Sequence, residues 1–210
     1  MAEPKSPEAV AAWIAAADAR LDSFAAVREA SEAHRLEHGP GCTVYPTSSG
    51  PLLGVLVAAV RARRVVELGC GLGYSALCLA SGAAGCSVDT IERDPDHAKL
   101  AAEEVEVHGY SRQITIHVGE AAEVLPSLAG HYDVAFCDAD PKGYADFLDD
   151  FFRLLRPGAL LISANLFLGQ FAPEIPHLDE LAAYREQLVA DVRVRTAFLP
   201  GGMALGVVAG

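Results

Sequence analysis

The fold is decided by the stretch Val65-Val66-Glu67-Leu68-Gly69-Cys70-Gly71-Leu72-Gly73-Tyr74-Ser75. An apolar run ends in an acid, three glycines follow on alternate residues, and a helical pattern begins after them. This layout predicts a strand, a tight turn and a helix N-terminus, because glycine allows positive φ and the close approach of a ligand. The dinucleotide fingerprint G-x-G-x-x-G would need glycine where this chain has Tyr74. The stretch therefore indicates a nucleotide-type fold without the dinucleotide spacing.

A second strand pattern, residues 87–92, also ends in an acid, Glu92. In nucleotide folds an acid about 20 residues past the glycines accepts hydrogen bonds from ribose hydroxyls, and Glu92 lies at that distance. An acid followed by G-x-G-x-G resembles the loop of class I S-adenosylmethionine (SAM) methyltransferases, which faces a cationic amino acid moiety. We therefore predict that the chain binds SAM. The alternative is that the glycines only allow a helix to pack closely on a strand.

Composition and charge narrow the class of protein. The chain has 210 residues, of which 51% are hydrophobic, so we predict one domain over residues 1–210 with a helical segment at about 1–40. The formal net charge of −12 repels phosphate backbones, which predicts no nucleic-acid partner. No apolar run approaches the roughly 18 residues of a membrane span, so no membrane association is predicted.

Cysteine usage and the N-terminus bear on the cellular compartment. The five cysteines contain no C-x-x-C pair, which argues against a zinc site or a disulfide scaffold and for a reducing compartment. The first residues lack the basic and apolar regions of a signal peptide. We therefore expect a cytoplasmic protein.

Strand-like and helix-like segments alternate along the chain. We predict helices at 7–34, 50–61, 73–81, 94–108, 120–128, 143–155 and 178–190, and strands at 64–69, 87–92, 114–118, 132–138 and 159–164. These strands are apolar nearly throughout, as in parallel strands that are covered on both faces. The alternation predicts an α/β fold with a doubly wound, mostly parallel, Rossmann-like sheet of seven strands. Segments 192–199 and 203–209 flank a Pro-Gly-Gly turn and predict a hairpin, so the C-terminal strand is expected to be antiparallel.

Ligands of such sheets bind at the carboxyl ends of the strands. The segments expected there are Glu67 to Gly73, Glu92, Gly119-Glu120-Ala121, Asp138-Ala139-Asp140 and Ala164-Asn165. We predict that they converge on one carboxylate-rich crevice, which would suit a sulfonium cation, an ammonium group and a ribose. Any single carboxylate among them could instead be a solvated loop residue.

Several short pieces, in their order and spacing, resemble the small O-methyltransferases related to catechol and caffeoyl-CoA O-methyltransferases over roughly residues 40–209. The pieces are Tyr45-Pro46-Thr47-Ser48-Ser49-Gly50, Glu67-Leu68-Gly69, Gly73-Tyr74-Ser75, Thr90-Ile91-Glu92, Tyr132-Asp133-Val134, Asp138-Ala139-Asp140, Leu155-Arg156-Pro157-Gly158 and Leu199-Pro200-Gly201-Gly202-Met203-Ala204-Leu205. The resemblance implies a SAM-dependent O-methyltransferase that acts on a small, hydroxylated, aromatic acceptor.

The resemblance also implies roles for individual residues. Glu67, Gly69 and Ser75 would hold the methionine part of SAM, Glu92 the ribose, and the turn 119–121 would border the adenine. The predicted cofactor-binding set is Tyr45, Glu67, Gly69, Gly71, Gly73, Ser75, Glu92, Arg93, Gly119, Glu120, Ala121 and Asp138.

The family's metal site is incomplete in this chain. Members usually bind a divalent cation, often magnesium, through the first Asp of the Asp-x-Asp segment and an adjacent Asp-Asn pair after strand 5. Asp138 and Asn165 are present here, but Ala164 stands where the second aspartate is expected. Because magnesium prefers several oxygen ligands, we predict weak or no metal dependence. The open alternative is that Asp140 compensates.

The catalytic base is also displaced. Catechol-type members place a lysine three residues after the first Asp, where this chain has Pro141, and its lysine follows as Lys142. Lys142 could accept a phenolic proton if burial lowers its pKa, or it could be a solvated residue on the first turn of a helix. We predict Lys142 and Asp138 as the catalytic residues. The other ionisable candidates are the loop histidines His38, His131 and His177.

Two further functions remain open from the sequence. One is a metal-independent methyltransferase that acts on another nucleophile or on a monohydroxyl acceptor, and the other is a SAM-binding protein without catalysis. The family resemblance and the apolar, alanine-rich N-terminal helix predict a homodimer. Segment 166–177 could be a lid over the acceptor or a dimer contact.

Overall fold

The sheet has seven strands in the order β3-β2-β1-β4-β5-β7-β6. In this computed structural model, residues 5–48, 50–138, 140–141, 143–170, 173 and 177–210 are described. The strands are β1 (Arg64–Leu68), β2 (Ser87–Glu92), β3 (Ile114–Val118), β4 (Tyr132–Cys137), β5 (Leu155–Ser163), β6 (Val194–Leu199) and β7 (Met203–Val208). Strands β1 to β5 pair in parallel, whereas β7 runs antiparallel to both β5 and β6. The predicted doubly wound sheet and its antiparallel last strand are confirmed.

Helices flank the sheet and connect its strands. They are α1 (Pro7–Leu21), α2 (Ala25–His38), α3 (Gly50–Ala59), α4 (Tyr74–Ser81), α5 (Pro95–Val107), α6 (Ala121–Val124), α7 (Leu148–Leu154) and α8 (Leu178–Ala190). Short 3-10 turns occupy Gly39–Gly41, Leu125–Ser127 and Leu168–Gln170. In the part of the chain that is described, no helix is long and apolar enough to cross a membrane.

Two layers of apolar side chains cover the sheet. Alternate residues of β1, such as Val66, face the layer that α7 and α8 build, which includes Phe151 and Tyr184. The residues between them, such as Val65, face α3 and α4, where Leu53 and Leu77 are fully buried. Each such side chain contributes about 1.5–3 kcal/mol by leaving water. Packing on both faces holds the ends of the strands in position. It thereby sets the positions of the residues that follow those ends.

The single N-terminal helix expected at 7–34 is wrong. Asp22 ends α1 in an extended conformation, and α2 starts at Ala25. The Asp22 carboxylate accepts hydrogen bonds from the Phe24 amide at 3.0 Å, from the Arg28 guanidinium at 3.2 Å and from the Tyr74 hydroxyl at 2.7 Å. A side chain that binds the following backbone amides competes with helix continuation. At this break, the hydrogen bond from Tyr74 to Asp22 joins the N-terminal segment to the start of α4.

The expected helix at 143–155 is also corrected, because residues 143–147 form turns and α7 begins only at Leu148. Gly143 adopts φ +87° and donates its amide to Glu180 at 2.9 Å, a contact between distant parts of the chain. Strand β5 begins at Leu155, four residues before the expected start, and the expected helix at 120–128 is one α-helical turn followed by a 3-10 turn.

Candidate active site

A cavity of about 800 Å³ opens at the carboxyl ends of the parallel strands. The predicted site residues in its wall are Tyr45, Gly69, Gly71, Ser75, Glu92, Arg93, Gly119, Glu120, Ala121, Asp138 and Asn165. Segments that are far apart in sequence therefore meet in one place, as expected from the topology. Gly73 and Glu67 lie behind this wall. Gly73 is the N-cap of α4, and Glu67 is the penultimate residue of β1.

The glycine loop needs its glycines for conformation. Gly69, Gly71 and Gly73 have φ of +94°, +52° and +91°, a region that residues with a Cβ rarely adopt. A Cβ on Gly73 would also meet the Ala101 backbone of α5 at 3.4 Å. The loop thus turns sharply from β1 into α4 and leaves its backbone open to a ligand.

Glu92 is held in a fixed position in the cavity wall. Its two carboxylate oxygens accept hydrogen bonds from the amides of Gly71 at 2.7 Å and Asp94 at 3.0 Å. Carboxylate oxygens have further lone pairs, so the fixed carboxylate can still accept hydrogen bonds from two neighbouring hydroxyls. This geometry suits a ribose.

Glu67 is fully buried one layer behind Ser75 and does not reach the cavity surface. Among the described residues, neither of its carboxylate oxygens has a hydrogen-bond partner, and the Thr90 hydroxyl beside it has none either. Burial raises the pKa of Glu67 to about 7, against the opposing effect of the nearby Ser75 and Thr90 hydroxyls. A buried carboxylate without a partner is costly when it is ionised, so Glu67 would favour a cation bound in front of it.

Asp138 and Asn165 form a pair at the ends of β4 and β5. The Asn165 side-chain amide donates to Asp138 Oδ1 at 2.5 Å. Burial raises the pKa of Asp138 to about 7, although the hydrogen bond from Asn165 opposes the shift. Asn165 adopts φ +56°, which asparagine tolerates better than most residues with a Cβ. The pair thus presents to the cavity one carboxyl group, Asp138, that can gain or lose its proton near neutral pH.

These residues do not fit a magnesium ion well. Ala164 is 2% exposed and belongs to the apolar layer around α3 and α4. Asn165 turns its nitrogen, not its oxygen, toward Asp138, and the Asp140 carboxylate pairs with the Arg93 guanidinium at 3.2 Å. Magnesium needs an octahedron of oxygens. The expected ligand set is reduced here to one carboxylate and an amide.

The proposed base, Lys142, lies outside the described residues, as do Ser49, Ala139 and positions 171–172 and 174–176 of segment 166–177. Pro141 and Gly143 on either side of Lys142 line the cavity. The described cavity wall contains none of the three loop histidines that the sequence suggested. His38 stacks on His34, His131 is exposed, and His177 pairs with Glu180 at 3.2 Å.

Sequence reasoning missed several ionisable residues of the wall, among them Cys42 and His97. Cys42 follows the 3-10 turn after α2, and His97 lies in the first turn of α5. Neither belongs to a spacing motif. The only local signal was their nearness in sequence to Tyr45 and Arg93.

Comparison with known proteins agrees with this geometry. The family model described as O-methyltransferase matches residues 24–208. The catechol O-methyltransferase of Mycobacterium tuberculosis is 34% identical over 179 residues, which cover 80% of each chain. That of Niastella koreensis is 33% identical over 132 residues, 60% of this chain and 59% of the relative.

A solved structure extends the likeness to the fold. The O-methyltransferase TomG from Streptomyces achromogenes, determined in complex with SAM, matches with a TM-score of 0.76 at 27% identity, over 88% of this chain and 90% of TomG. The chain belongs to the O-methyltransferase family. It is a SAM-dependent member of that family, as the sequence predicted.

Proposed function

We propose that the protein methylates a hydroxyl group of a small aromatic acceptor and depends little on a divalent metal. The observation that carries the proposal is Ala164, packed in the core beside an intact cofactor cradle and an Asp138–Asn165 pair. The names of the two catechol O-methyltransferases similar to this chain support an aromatic, hydroxylated acceptor. Without a metal to bind two neighbouring hydroxyls, a monohydroxyl phenol should serve as well as a catechol.

SAM, when bound, supplies an electrophilic methyl group on a sulfonium. Glu92 would hold the ribose hydroxyls, and Ser75 with the glycine loop would hold the methionine part. The turn 119–121 and Arg93 would border the adenine, and Tyr45 would close the wall on the opposite side. Glu67, behind Ser75, would stabilise the cationic end of the ligand through its charge rather than by direct contact.

The acceptor hydroxyl must be aligned and must lose its proton. Asp138, at the end of β4, would orient the hydroxyl by accepting its hydrogen bond, and Asn165 fixes that carboxylate. Lys142 would take the proton, a role that rests on its place in the sequence between two cavity residues, Pro141 and Gly143.

The test is turnover on a phenol and a catechol of similar size, measured before and after exhaustive chelation. We expect most of the turnover to persist on both acceptors. Activity that vanishes and returns with micromolar magnesium would refute weak metal dependence. Binding of SAM without methylation of any acceptor would favour the alternative of a binding protein without catalysis.

The variant Ala164→Asp sharpens the test. In chelator it should be less stable than the parent, because it buries a carboxylate without a partner. Magnesium should raise the melting temperature of the variant but not of the parent, since a second carboxylate adds charge and a coordination position. Ala164→Ser is the matched control. Equal gains in parent and variant would show that Ala164 is not what weakens the metal site.

The wider setting is also proposed. Residues 1–210 would form one methyltransferase domain, with the helical segment up to about residue 40, and act as a cytoplasmic homodimer on small molecules. All five cysteines are free and buried, which supports a reducing compartment. The charge of −12 supports the absence of a nucleic-acid partner.

A further inference from the structure

Three side chains with metal-ligating atoms meet at the rim of the cavity. They are His34 of α2, Cys42 after the 3-10 turn and His97 in the first turn of α5. One ligand atom from each lies within 4.8 Å of the other two, and the Nε2 atoms of the two histidines are 3.2 Å apart. Cys42 is buried and both histidines are partly buried. Two imidazoles and a thiol facing one point are a donor set that zinc prefers.

The distances match tetrahedral coordination. Zinc–nitrogen bonds of about 2.0–2.1 Å place two tetrahedral nitrogen ligands about 3.3 Å apart, close to the separation of the histidines. A zinc–sulfur bond of about 2.3 Å places sulfur about 3.6 Å from each nitrogen. Since the cluster spans at most 4.8 Å, each distance from the Cys42 sulfur to a histidine nitrogen exceeds the tetrahedral value by no more than about 1.2 Å.

Other side chains surround the two histidines. Burial lowers the pKa of His34, and the neighbouring His38 and His97 lower it further. The His38 ring stacks on His34 with centroids 4.0 Å apart and donates its Nδ1 hydrogen to the His34 carbonyl at 2.8 Å. The Asp94 carboxylate lies 4.0 Å from Nδ1 of His97, so a shift of about 1 Å would let it accept the Nδ1 hydrogen, as the outer carboxylate of a ligating histidine does.

We propose that His34, Cys42 and His97 bind zinc or a similar transition-metal ion and leave a fourth coordination position open to solvent. The sequence argued against zinc because no C-x-x-C pair is present. That argument covers only sites built within one segment, whereas this one joins three elements that are separate in sequence. It is also distinct from the Asp138–Asn165 pair.

The site has a consequence for the cofactor, and this part rests on the proposed function. Cys42 and His97 both line the cavity. An ion between them ties α2 and the segment that leads to Tyr45 onto α5, which follows directly after Glu92. The metal thus acts as a clasp on one wall of the SAM cavity and slows the exchange of cofactor without taking part in methyl transfer.

Cobalt tests the metal site without any need for activity. Chelator-treated, reduced, full-length protein is titrated with Co²⁺, and we expect one equivalent to give the visible bands of tetrahedral cobalt and a thiolate-to-cobalt band. Zn²⁺ should displace it. Cys42→Ser should abolish the thiolate band, and His97→Gln should weaken binding about 100-fold or more, since even an outer-shell partner is worth 10–100-fold. Cys86→Ser and His108→Gln, at a buried cysteine and at the other end of α5, are the matched controls.

Alkylation of the unaltered protein covers the case in which a variant fails to fold. Zn²⁺ should protect one thiol, which peptide mapping identifies as Cys42. Cobalt binding that Cys42→Ser and His97→Gln leave unchanged, or no protection of Cys42, would show a hydrogen-bonded histidine pair only and overturn the proposal. The clasp is tested separately by the dissociation rate of S-adenosylhomocysteine, which Zn²⁺ should slow several-fold in the parent and not in Cys42→Ser.

Discussion

At the scale of single residues, the site combines groups that are satisfied by the protein with groups that are not. The Glu92 carboxylate has two backbone amide donors, whereas the Glu67 carboxylate, among the described residues, has none. A buried, unpaired carboxylate is costly when it is ionised. The free protein therefore holds Glu67 partly protonated near neutral pH, and a cationic ligand nearby favours its ionised form.

The pKa of Glu67 predicts how stability depends on pH. Between pH 4.5 and about 7 the native state keeps a proton that the unfolded chain has lost, so stability should fall as pH rises through this window. Across this window Glu67 should lower the free energy of unfolding by about 3 kcal/mol, since one pKa unit corresponds to about 1.4 kcal/mol. Glu67→Gln should remove this pH-dependent contribution. The free energies of unfolding in urea at pH 5 and pH 8 should therefore differ less in the variant than in the parent. The exposed Glu123→Gln is the control, and parallel pH curves for Glu67→Gln and the parent would refute the assignment.

Glu92→Ala should weaken the binding of S-adenosylhomocysteine by about 1–3 kcal/mol, because charged hydrogen bonds to the ribose are lost. The variant also frees the amides of Gly71 and Asp94, so part of the loss could come from the loop. A 2′-deoxyribose analogue separates the two effects in calorimetry. If Glu92 binds the ribose, the difference between parent and variant should shrink with the analogue; an unchanged difference would assign Glu92 to the loop alone.

At the scale of elements, local patterns predicted what local forces determine. The bounds of β2, β3 and α8 agree with the sequence prediction, and the glycine loop with Glu92 was predictable because both follow strands at fixed spacing. The helix break at Asp22 and the late start of α7 were not predicted, since each also involves a hydrogen bond to a distant residue, Tyr74 or Glu180. The cluster of His34, Cys42 and His97 was not predicted either, because its members come from separate elements that meet only in the folded chain.

Asp22→Ala tests whether the break between α1 and α2 is stabilised by its tertiary contacts. The variant leaves the Tyr74 hydroxyl without its acceptor and the Arg28 guanidinium with Glu32 alone, and the Asp22 side chain is only 2% exposed. We expect a loss of about 1–3 kcal/mol in the free energy of unfolding. Tyr74→Phe should cost less, because two donors remain on Asp22. Asp18→Ala in α1 is the control, and a loss no greater than in that control would mean that the break is set locally.

At the scale of the whole molecule, α1 stands out because it does not pack its apolar side chains into the core around the sheet. None of its residues is buried, and Val10, Trp13 and Ile14 are 41%, 46% and 48% exposed. At 100° per residue these side chains share one face of the helix. An apolar stripe that ends in water within one subunit is a surface that a second copy can cover.

The dimer prediction therefore places α1 in the interface. The parent should have twice the mass of its 22.1 kDa chain in light scattering at micromolar concentration. The double variant Trp13→Gln, Ile14→Gln should be monomeric, because it removes apolar area that only a partner subunit can bury, and it should keep its SAM affinity, because α1 contributes nothing to the described cavity wall. Ala12→Gln, on the opposite face of α1, should remain a dimer. A monomeric parent would refute the dimer, and a dimeric double variant would move its interface away from α1.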